Sequence, residues 1–221
     1  LLIMKVIHHN EPFLHVTLED VFSSRELEIV HEEIKGLKQY FGNPDVTGTA
    51  LSQDDEPLKK GDGIFLLQLD YESKITKFID KRIKQIGKSE WKNPTFRRVF
   101  HSLVWGNELL NCYKGNDYYK PHFDHGVFSL IFFLWEDTST FDGGDLYFPE
   151  YDYIHKCNNN HAILFNSKEI HGVTPLVTKD ETSTRYSIVT FSVQNETQSL
   201  HDKWKDFNRK SSAASISSLY Q

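Results

Sequence analysis

The chain has 221 residues, of which 14% are aromatic and two are cysteine, and its formal net charge at pH 7 is −6. This length suits one large β-rich domain with a sizeable core, so we expect a single domain over residues 1–221. The negative charge argues against a protein that binds nucleic acid by neutralising phosphates. The few cysteines and the lack of a long apolar run near the N-terminus predict an intracellular, cytoplasmic protein without a membrane span.

Two segments among residues 1–99 have the period of amphipathic helices. The first spans residues 23–42 and begins with serine and glutamate at capping-box spacing. The second spans residues 71–87, and both segments end on a glycine. Residues 43–63, which lie between them, are rich in charge and turn formers and predict a mobile loop. We therefore expect residues 1–99 to form helical support and a loop.

Short apolar runs separated by turn signals fill residues 100–195 and predict an antiparallel sandwich or barrel. The last run is "RYSIVTFSV", in which Arg185 and Ser187 alternate onto the same strand face as apolar side chains. An arginine directed at an apolar interior needs an anion there. Residues 196–221 are low in complexity, and we expect them to form a frayed or loosely attached tail.

The stretch "YYKPHFDHG" contains a candidate half of a metal site. His122 and Asp124 are two residues apart, so both side chains project from one face of an extended strand. A third ligand would come from another strand, where His171 opens the run "HGVTPLV". Two histidines and one carboxylate form the facial triad that binds iron(II) and leaves positions open for other ligands. Open positions indicate catalysis rather than structural support.

Three stretches of the chain, "CYKGNDYYKPHFD", "GGDLYFPE" and "HGVTPLVTKDETSTRYSIVTF", resemble the 2-oxoglutarate and iron(II) dependent dioxygenases, and within them the prolyl 4-hydroxylase branch. The resemblance covers about residues 109–193. It implies a mainly β fold with supporting α-helices, in which N-terminal helices precede a double-stranded β-helix of the jelly-roll or cupin type. It also implies that the whole chain is a single dioxygenase domain with a core at 100–195.

The resemblance assigns roles to particular side chains. The histidines and the carboxylate of the triad become the iron(II) ligands, and Arg185 becomes the partner of the far carboxylate of 2-oxoglutarate. Tyr113 and Tyr119 match tyrosines whose hydroxyls point toward the co-substrate, and Ser187 could add a hydroxyl donor beside Arg185. Collagen-type relatives use a lysine in place of the arginine. Lys179 lies near that spacing but in a polar stretch, so Arg185 is the better candidate.

The implied reaction consumes 2-oxoglutarate and O2 and releases succinate and CO2 while a C–H bond is hydroxylated. The leading substrate is a prolyl residue of a protein or peptide, and a free amino acid or another small molecule is the alternative. The implied cofactors are Fe(II) and 2-oxoglutarate, with ascorbate as a further candidate. Phe191 replaces the second arginine of the nucleic-acid demethylases, so we expect no nucleic-acid partner. A non-catalytic barrel that binds metal or sugar remains a rival of another class, because fold alone does not fix function.

Overall fold

A computed structural model describes residues 4–48, 51–52, 55–136, 139–180 and 183–194, without the side chains of Asp45 and Val46. Within these residues the chain forms three α-helices, α1 (Ser24–Leu37), α2 (Lys74–Gly87) and α3 (Pro94–His101). Its strands are β1 (Lys5–His9), β2 (His15–Glu19), β3 (Lys59–Lys60), β4 (Asp62–Phe65), β5 (Leu103–Tyr113), β6 (Tyr118–His122), β7 (Phe128–Leu134), β8 (Phe141–Gly143), β9 (Leu146–Phe148), β10 (Tyr153–His155), β11 (His161–Asn166), β12 (His171–Val173), β13 (Leu176–Thr178) and β14 (Arg185–Gln194). The tail predicted at 196–221 lies outside the described residues.

Two antiparallel sheets form the body of the fold. The seven-stranded sheet has the order β1-β2-β11-β7-β14-β5-β4, and the five-stranded sheet has the order β10-β9-β12-β6-β3. Strands β13 and β8 form a separate two-stranded ribbon. The predicted fold class, a mainly β double-stranded β-helix with supporting helices, is confirmed.

The seven-stranded sheet is buried on both faces. All seven residues of β7 are buried, and successive side chains of this strand enter two different apolar cores. Phe132 packs in the core beneath the helices, whereas Phe133 packs in the core between the two sheets. The second core also contains Phe148 and Val173 from the five-stranded sheet, so the inner faces of the two sheets pack against each other.

The two predicted helices are confirmed. Helix α1 begins after a capping box in which Ser23 and Glu26 bond each other's backbone N–H groups. It ends at Leu37 and continues as one 3₁₀ turn to Tyr40, so the helix stops before the predicted Gly42. Helix α3 was not predicted. Its signal is the Asn-Pro step that precedes it, because the Asn93 side chain accepts hydrogen bonds from the first turn.

The description of residues 1–99 as helices and a loop is incomplete. Strands β1 and β2 form a hairpin whose second strand pairs with β11, and so belong to the seven-stranded sheet. The prediction of a loop over 43–63 is wrong for its last part, since Lys59 and Lys60 pair with β6 and β4 pairs with β5. Charged residues in such short strands conceal the period on which strand prediction depends.

Gly61 lets the chain pass from the five-stranded sheet to the seven-stranded sheet between β3 and β4. Its φ is +139°, which favours glycine, and a Cβ there would lie 3.2 Å from the Cys112 carbonyl oxygen and 3.3 Å from the Tyr113 ring. This part of the segment predicted as a mobile loop therefore packs closely against strand β5.

Candidate active site

The three predicted metal ligands come together on the five-stranded sheet. His122 ends β6, His171 begins β12, and the two residues are paired in register. Asp124 follows β6 by two residues, and its two carboxylate oxygens lie 3.6 Å from Nε2 of His122 and 3.6 Å from Nε2 of His171. One ligand atom from each residue lies within 4.8 Å of the others, and the described residues contain no second cluster of this kind. Two imidazoles and a carboxylate at this spacing suit a facial triad.

Both histidines are held in the tautomer that metal binding requires. His122 Nδ1 donates to the Lys120 carbonyl oxygen at 2.9 Å, and His171 Nδ1 donates to the Glu169 carbonyl oxygen at 2.9 Å. Because a carbonyl only accepts, each Nδ1 carries the proton and each Nε2 keeps its lone pair. Burial lowers the pKa of His171 to about 4, so this imidazole is neutral at pH 7.

The carboxylate of Asp124 is held by serines that the sequence did not single out. Ser129 Oγ donates to Asp124 Oδ2 at 2.5 Å and lies 2.8 Å from Ser167 Oγ. Burial opposes ionisation of Asp124, but the two imidazoles and the Ser129 hydroxyl hold its pKa below the ordinary value. The backbone also fixes the residue, since Asp124 N donates to the Ser167 carbonyl oxygen at 2.8 Å. These serines lie on different segments, so nothing in their local spacing marks them.

Arg185 is buried in the core between the sheets. It opens β14 opposite Tyr113, and its Cζ lies 5.3 Å from the centre of the Tyr113 ring and 5.0 Å from that of Phe133. Nη2 donates weakly to Cys157 Sγ at 3.6 Å. Among the described groups, Nε and Nη1 of Arg185 find no hydrogen-bond partner and no carboxylate forms an ion pair with it. Two unpartnered, buried guanidinium donors fit the carboxylate of a bound anion such as 2-oxoglutarate.

The remaining predicted co-substrate residues line the same interior. The Tyr119 ring stacks on His122, with ring centres 3.6 Å apart and an interplanar angle of 14°. Burial raises the pKa of Tyr113, so its hydroxyl stays protonated and can donate a hydrogen bond. Ser187 is buried two residues after Arg185, where its Oγ accepts from Asn111 Nδ2 at 3.3 Å. Sequence reasoning missed this asparagine.

Lys179, the rejected alternative to Arg185, lies at the surface. Its side chain is 61% exposed and its Nζ lies 3.4 Å from Asp142 Oδ2. The stretch "HKCNNNH" brings Cys157 against Arg185. Burial raises the pKa of this thiol, so Cys157 is protonated and acts as a small apolar neighbour of the guanidinium.

Comparison with known proteins identifies the core that carries these residues. Residues 109–193 match the family model described as the 2OG-Fe(II) oxygenase superfamily. Over this segment the chain is similar to the 2OG-Fe(II) oxygenase superfamily. The resemblance found in the sequence is therefore confirmed over the stretch that carries the triad and Arg185. No curated protein sequence matches the chain.

Two solved structures share the fold of residues 109–193 and of segments before them. A prolyl-4-hydroxylase from Pseudomonas putida superposes with a TM-score of 0.55 at 13% identity, over 82% of this chain and 92% of the other. The viral collagen prolyl hydroxylase of Paramecium bursaria Chlorella virus-1, in complex with 2OG, superposes with a TM-score of 0.52 at 12% identity, over 81% of this chain and 96% of the other. At this identity the two structures show the fold alone.

No helix in the described part of the chain is long and apolar enough to cross a membrane.

Proposed function

We propose that the protein is a non-haem iron(II), 2-oxoglutarate-dependent dioxygenase that hydroxylates a C–H bond. The observation that carries this proposal is the pairing of two features inside one oxygenase core. His122, Asp124 and His171 present three metal-ligand atoms within 4.8 Å of one another. Arg185 presents two buried donors that no described group satisfies. A metal triad alone would suit many functions, whereas a triad with a buried anion partner suits a chelating dicarboxylate.

Each group of the site has a distinct proposed task. His122, His171 and Asp124 hold iron(II) on one face and leave the other coordination positions open. Arg185 binds the far carboxylate of 2-oxoglutarate, which orients the keto acid toward the metal. Tyr113, as a protonated donor, and Ser187 add hydrogen bonds to the same carboxylate. The rings of Phe133 and Tyr113, whose centres lie 5.0 Å and 5.3 Å from the guanidinium carbon, exclude water and so strengthen these contacts.

Iron(II) and 2-oxoglutarate, when bound, supply the oxidation: one atom of O2 enters succinate as CO2 leaves, and the other enters the substrate C–H bond as a hydroxyl group. The chain itself positions and shields the reactants. Neutral imidazoles and an ionised carboxylate are the protonation states in which the triad can bind a divalent cation at pH 7.

The proposed substrate is a prolyl residue of a protein or peptide. Its support is the likeness in fold to two proteins described as prolyl hydroxylases, which is an argument from analogy. The same chemistry on a free amino acid is the second candidate. Mass spectrometry of a peptide panel and a metabolite panel, each scored for the gain of about one oxygen, separates the two.

Anaerobic reconstitution with iron(II) and 2-oxoglutarate tests the enzyme itself. We expect a weak visible charge-transfer band for the chelate, and succinate formation once O2 is admitted, with ascorbate present as the proposed reductant. Protein that binds iron but never converts 2-oxoglutarate to succinate would refute the proposal in favour of a non-catalytic module. If the protein is such a non-catalytic module, the Arg185→Ala variant should bind 2-oxoglutarate as well as the parent does.

A further inference from the structure

A second buried cation lies beside the proposed co-substrate site. Lys59, on β3, is 4% exposed, and its Nζ donates to Asn111 Oδ1 at 2.5 Å. The same Nζ lies 6.0 Å from the centre of the Tyr113 ring, against which Arg185 also packs. Asn111 in turn donates to Ser187, so Lys59 is joined through side chains to the strand that carries Arg185. Lysine is almost never this buried without a partner.

Lys59 lies on the same sheet face as a residue that contacts a metal ligand. It pairs in register with Tyr119 on β6, and side chains at paired positions of antiparallel strands lie on the same face of the sheet. The Tyr119 ring stacks directly on His122. Lys59 therefore shares a sheet face with the tyrosine that stacks on a metal ligand.

Among the described residues, no carboxylate lies within ion-pair distance of Lys59. The negative charges of Asp62 and Asp117 raise the pKa of Lys59, but each of these acids is paired with another lysine. Asp62 is bonded to Lys114 Nζ at 3.1 Å, and Asp117 lies 3.6 Å from Lys60 Nζ. Burial lowers the pKa of Lys59 to about 8, so the ammonium group is still mostly charged at pH 7. Its described hydrogen bond is to a neutral amide, so no carboxylate bonds the ammonium group directly.

Formal charges can be counted for the proposed site with iron(II) and 2-oxoglutarate bound. Asp124 and the two carboxylates of 2-oxoglutarate bring three negative charges. Iron(II) and Arg185 bring three positive charges, and the imidazoles are neutral. The site thus balances without Lys59, so a charged Lys59 adds one positive charge in a region of low dielectric constant. An anionic group from a further molecule would compensate it.

We propose that Lys59 binds a carboxylate of the molecule that is hydroxylated, so that this substrate is an anionic acid: a free amino or other carboxylic acid, or a peptide with an acidic side chain near the reacting residue. This inference rests on the proposed function and narrows its substrate class. Lys59 is then a substrate-binding residue contributed by the segment before the oxygenase core, while Arg185 serves the co-substrate. The ammonium and the Asn111 amide together receive the carboxylate.

Paired ligands that differ only in charge test this proposal by binding rather than by turnover. The protein is loaded with Mn(II) and 2-oxoglutarate, which permits calorimetric titration in air. The free-acid arm compares L-proline, L-leucine and L-glutamate with their α-amides. The peptide arm compares acetyl-Glu-Pro-Gly-amide with acetyl-Gln-Pro-Gly-amide. We expect the acid of at least one pair to bind about tenfold more tightly than its amide, as for a charge-assisted hydrogen bond. The arm that shows this preference identifies the source of the carboxylate.

Substitutions of Lys59 and its neighbours test whether Lys59 causes the preference for the acid over the amide. Lys59→Met should abolish the preference, so that the acid and its amide bind about equally, while 2-oxoglutarate still binds. Lys60→Met removes the neighbouring lysine, whose side chain is 58% exposed, and should leave the preference unchanged. Asn111→Asp guards against misfolding of Lys59→Met, because it keeps the lysine and supplies an internal carboxylate at its Nζ. That variant should lose the preference as well.

Each other result counts against the assignment. Equal binding of acid and amide in every pair, or an unchanged preference in Lys59→Met and Asn111→Asp, would refute substrate binding by Lys59. A lower thermal stability of Lys59→Met with an intact preference would show a structural role instead. A loss of 2-oxoglutarate affinity in Lys59→Met would move the residue to the co-substrate. Failure of the parent protein to bind 2-oxoglutarate would refute the proposed function, which this titration measures first.

Discussion

At the scale of single residues, the site depends on a few side chains whose partners are fixed by the fold. The triad and Arg185 stand out in the sequence because their chemistry is costly to bury without a purpose: two imidazoles and a carboxylate near one another, and an arginine among apolar residues. Ser129 and Lys59 did not stand out. A serine in an apolar strand and a lysine in a charged loop are ordinary, and only the tertiary contacts give them a role.

Replacing Arg185 should weaken co-substrate binding selectively. We expect Arg185→Gln to reduce 2-oxoglutarate affinity roughly 10- to 100-fold, because hydrogen bonds to a charged group in a buried site are lost. Calorimetry on the Mn(II) form measures this. Mn(II) affinity should be unchanged, and Lys179→Gln, which removes an exposed cation nearby in sequence, should behave like the parent. Equal effects of the two substitutions would contradict the role given to Arg185.

Removing the Ser129 hydroxyl should weaken metal binding without touching a ligand. Ser129→Ala leaves Asp124 with one hydrogen bond fewer, and loss of such an outer partner typically lowers metal affinity about 10- to 100-fold. The measurement is competition with a chelator for Fe(II) or Mn(II). Ser102→Ala, at an exposed helix end, is the matched control. If both variants hold metal as the parent does, the hydroxyl does not support the carboxylate.

At the scale of secondary-structure elements, the sequence predicts best where the period is long. Helices α1 and α2 each have four turns of regular apolar spacing, and the structure confirms both. Strands β3 and β4 have two and four residues, carry charges and a glycine, and form because β6 and β5 offer them backbone partners. Pairing with residues distant in sequence leaves no local pattern. For this reason the fold class was predictable from the sequence, whereas strands β3 and β4, the first of which carries Lys59, were not.

Gly61 should be required for the crossing between β3 and β4. In Gly61→Ala the added Cβ meets the Cys112 carbonyl oxygen at 3.2 Å while φ stays at +139°, so we expect a loss of about 1–3 kcal/mol in unfolding free energy. Urea denaturation measures it. Gly36→Ala is the control, and we expect it to raise the free energy of unfolding by up to about 1 kcal/mol. No atom lies within 4 Å of the added Cβ, and alanine is favoured over glycine inside helix α1. Similar stabilities for the two variants would contradict this explanation.

The contact between helices α1 and α2 should be sensitive to acid. Arg82 of α2 is 3% exposed and forms an ion pair with Glu26 of α1. Burial alone would raise the pKa of Glu26, but hydrogen bonds from Ser23 and Lys81 and the charge of Arg82 lower it to about 2. We expect Glu26→Gln to reduce the free energy of unfolding at pH 7 by about 2 kcal/mol, since a buried arginine loses its partner.

The pH dependence of that loss follows from the direction of the shift. A carboxyl group whose pKa is lower in the folded state stabilises fully above its unfolded value of 4.5, and this contribution disappears as pH falls toward about 2. The stabilities of the parent and Glu26→Gln should therefore converge over this window in denaturation curves at stepped pH. A difference that stays constant from pH 7 down to pH 2 would show that Glu26 acts by packing rather than by charge.

At the scale of the whole molecule, one strand joins the proposed co-substrate site to the helical layer. Strand β14 contacts β5 and β7 along most of its length, carries Arg185 on its inner face and packs Ile188 beneath the helices on its outer face. Ligands that bind between the sheets therefore contact the same strand that the helices hold. The sequence indicated both faces through alternation, but not which helix covers which strand.

Ligand binding should stabilise the entire described domain. A ligand that binds only the folded state adds about 2.7 kcal/mol to the unfolding free energy at 100 times its Kd. For a chain of this size that corresponds to a rise of roughly 5–10 °C in Tm. Thermal unfolding with Mn(II), and then with Mn(II) and 2-oxoglutarate, should show two successive rises. His122→Ala should lose both, whereas Arg185→Gln should lose only the second. A single rise in Arg185→Gln that matches the parent's total would contradict separate sites.

The hydrogen bonds that hold the two histidines would affect the electronic properties of an iron ion bound by the triad. Both Nδ1 atoms donate to main-chain carbonyl oxygens two residues earlier, so the hydrogen bonds that orient the two imidazoles come from the backbone and not from side chains. Asp124 is different, because hydroxyl groups hold its carboxylate. If the triad holds iron, substitutions at Ser129 and Ser167 would be the ones that change its Fe(III)/Fe(II) reduction potential through hydrogen bonds to a ligand. Side-chain replacements at Lys120 and Glu169 should leave that potential unaltered.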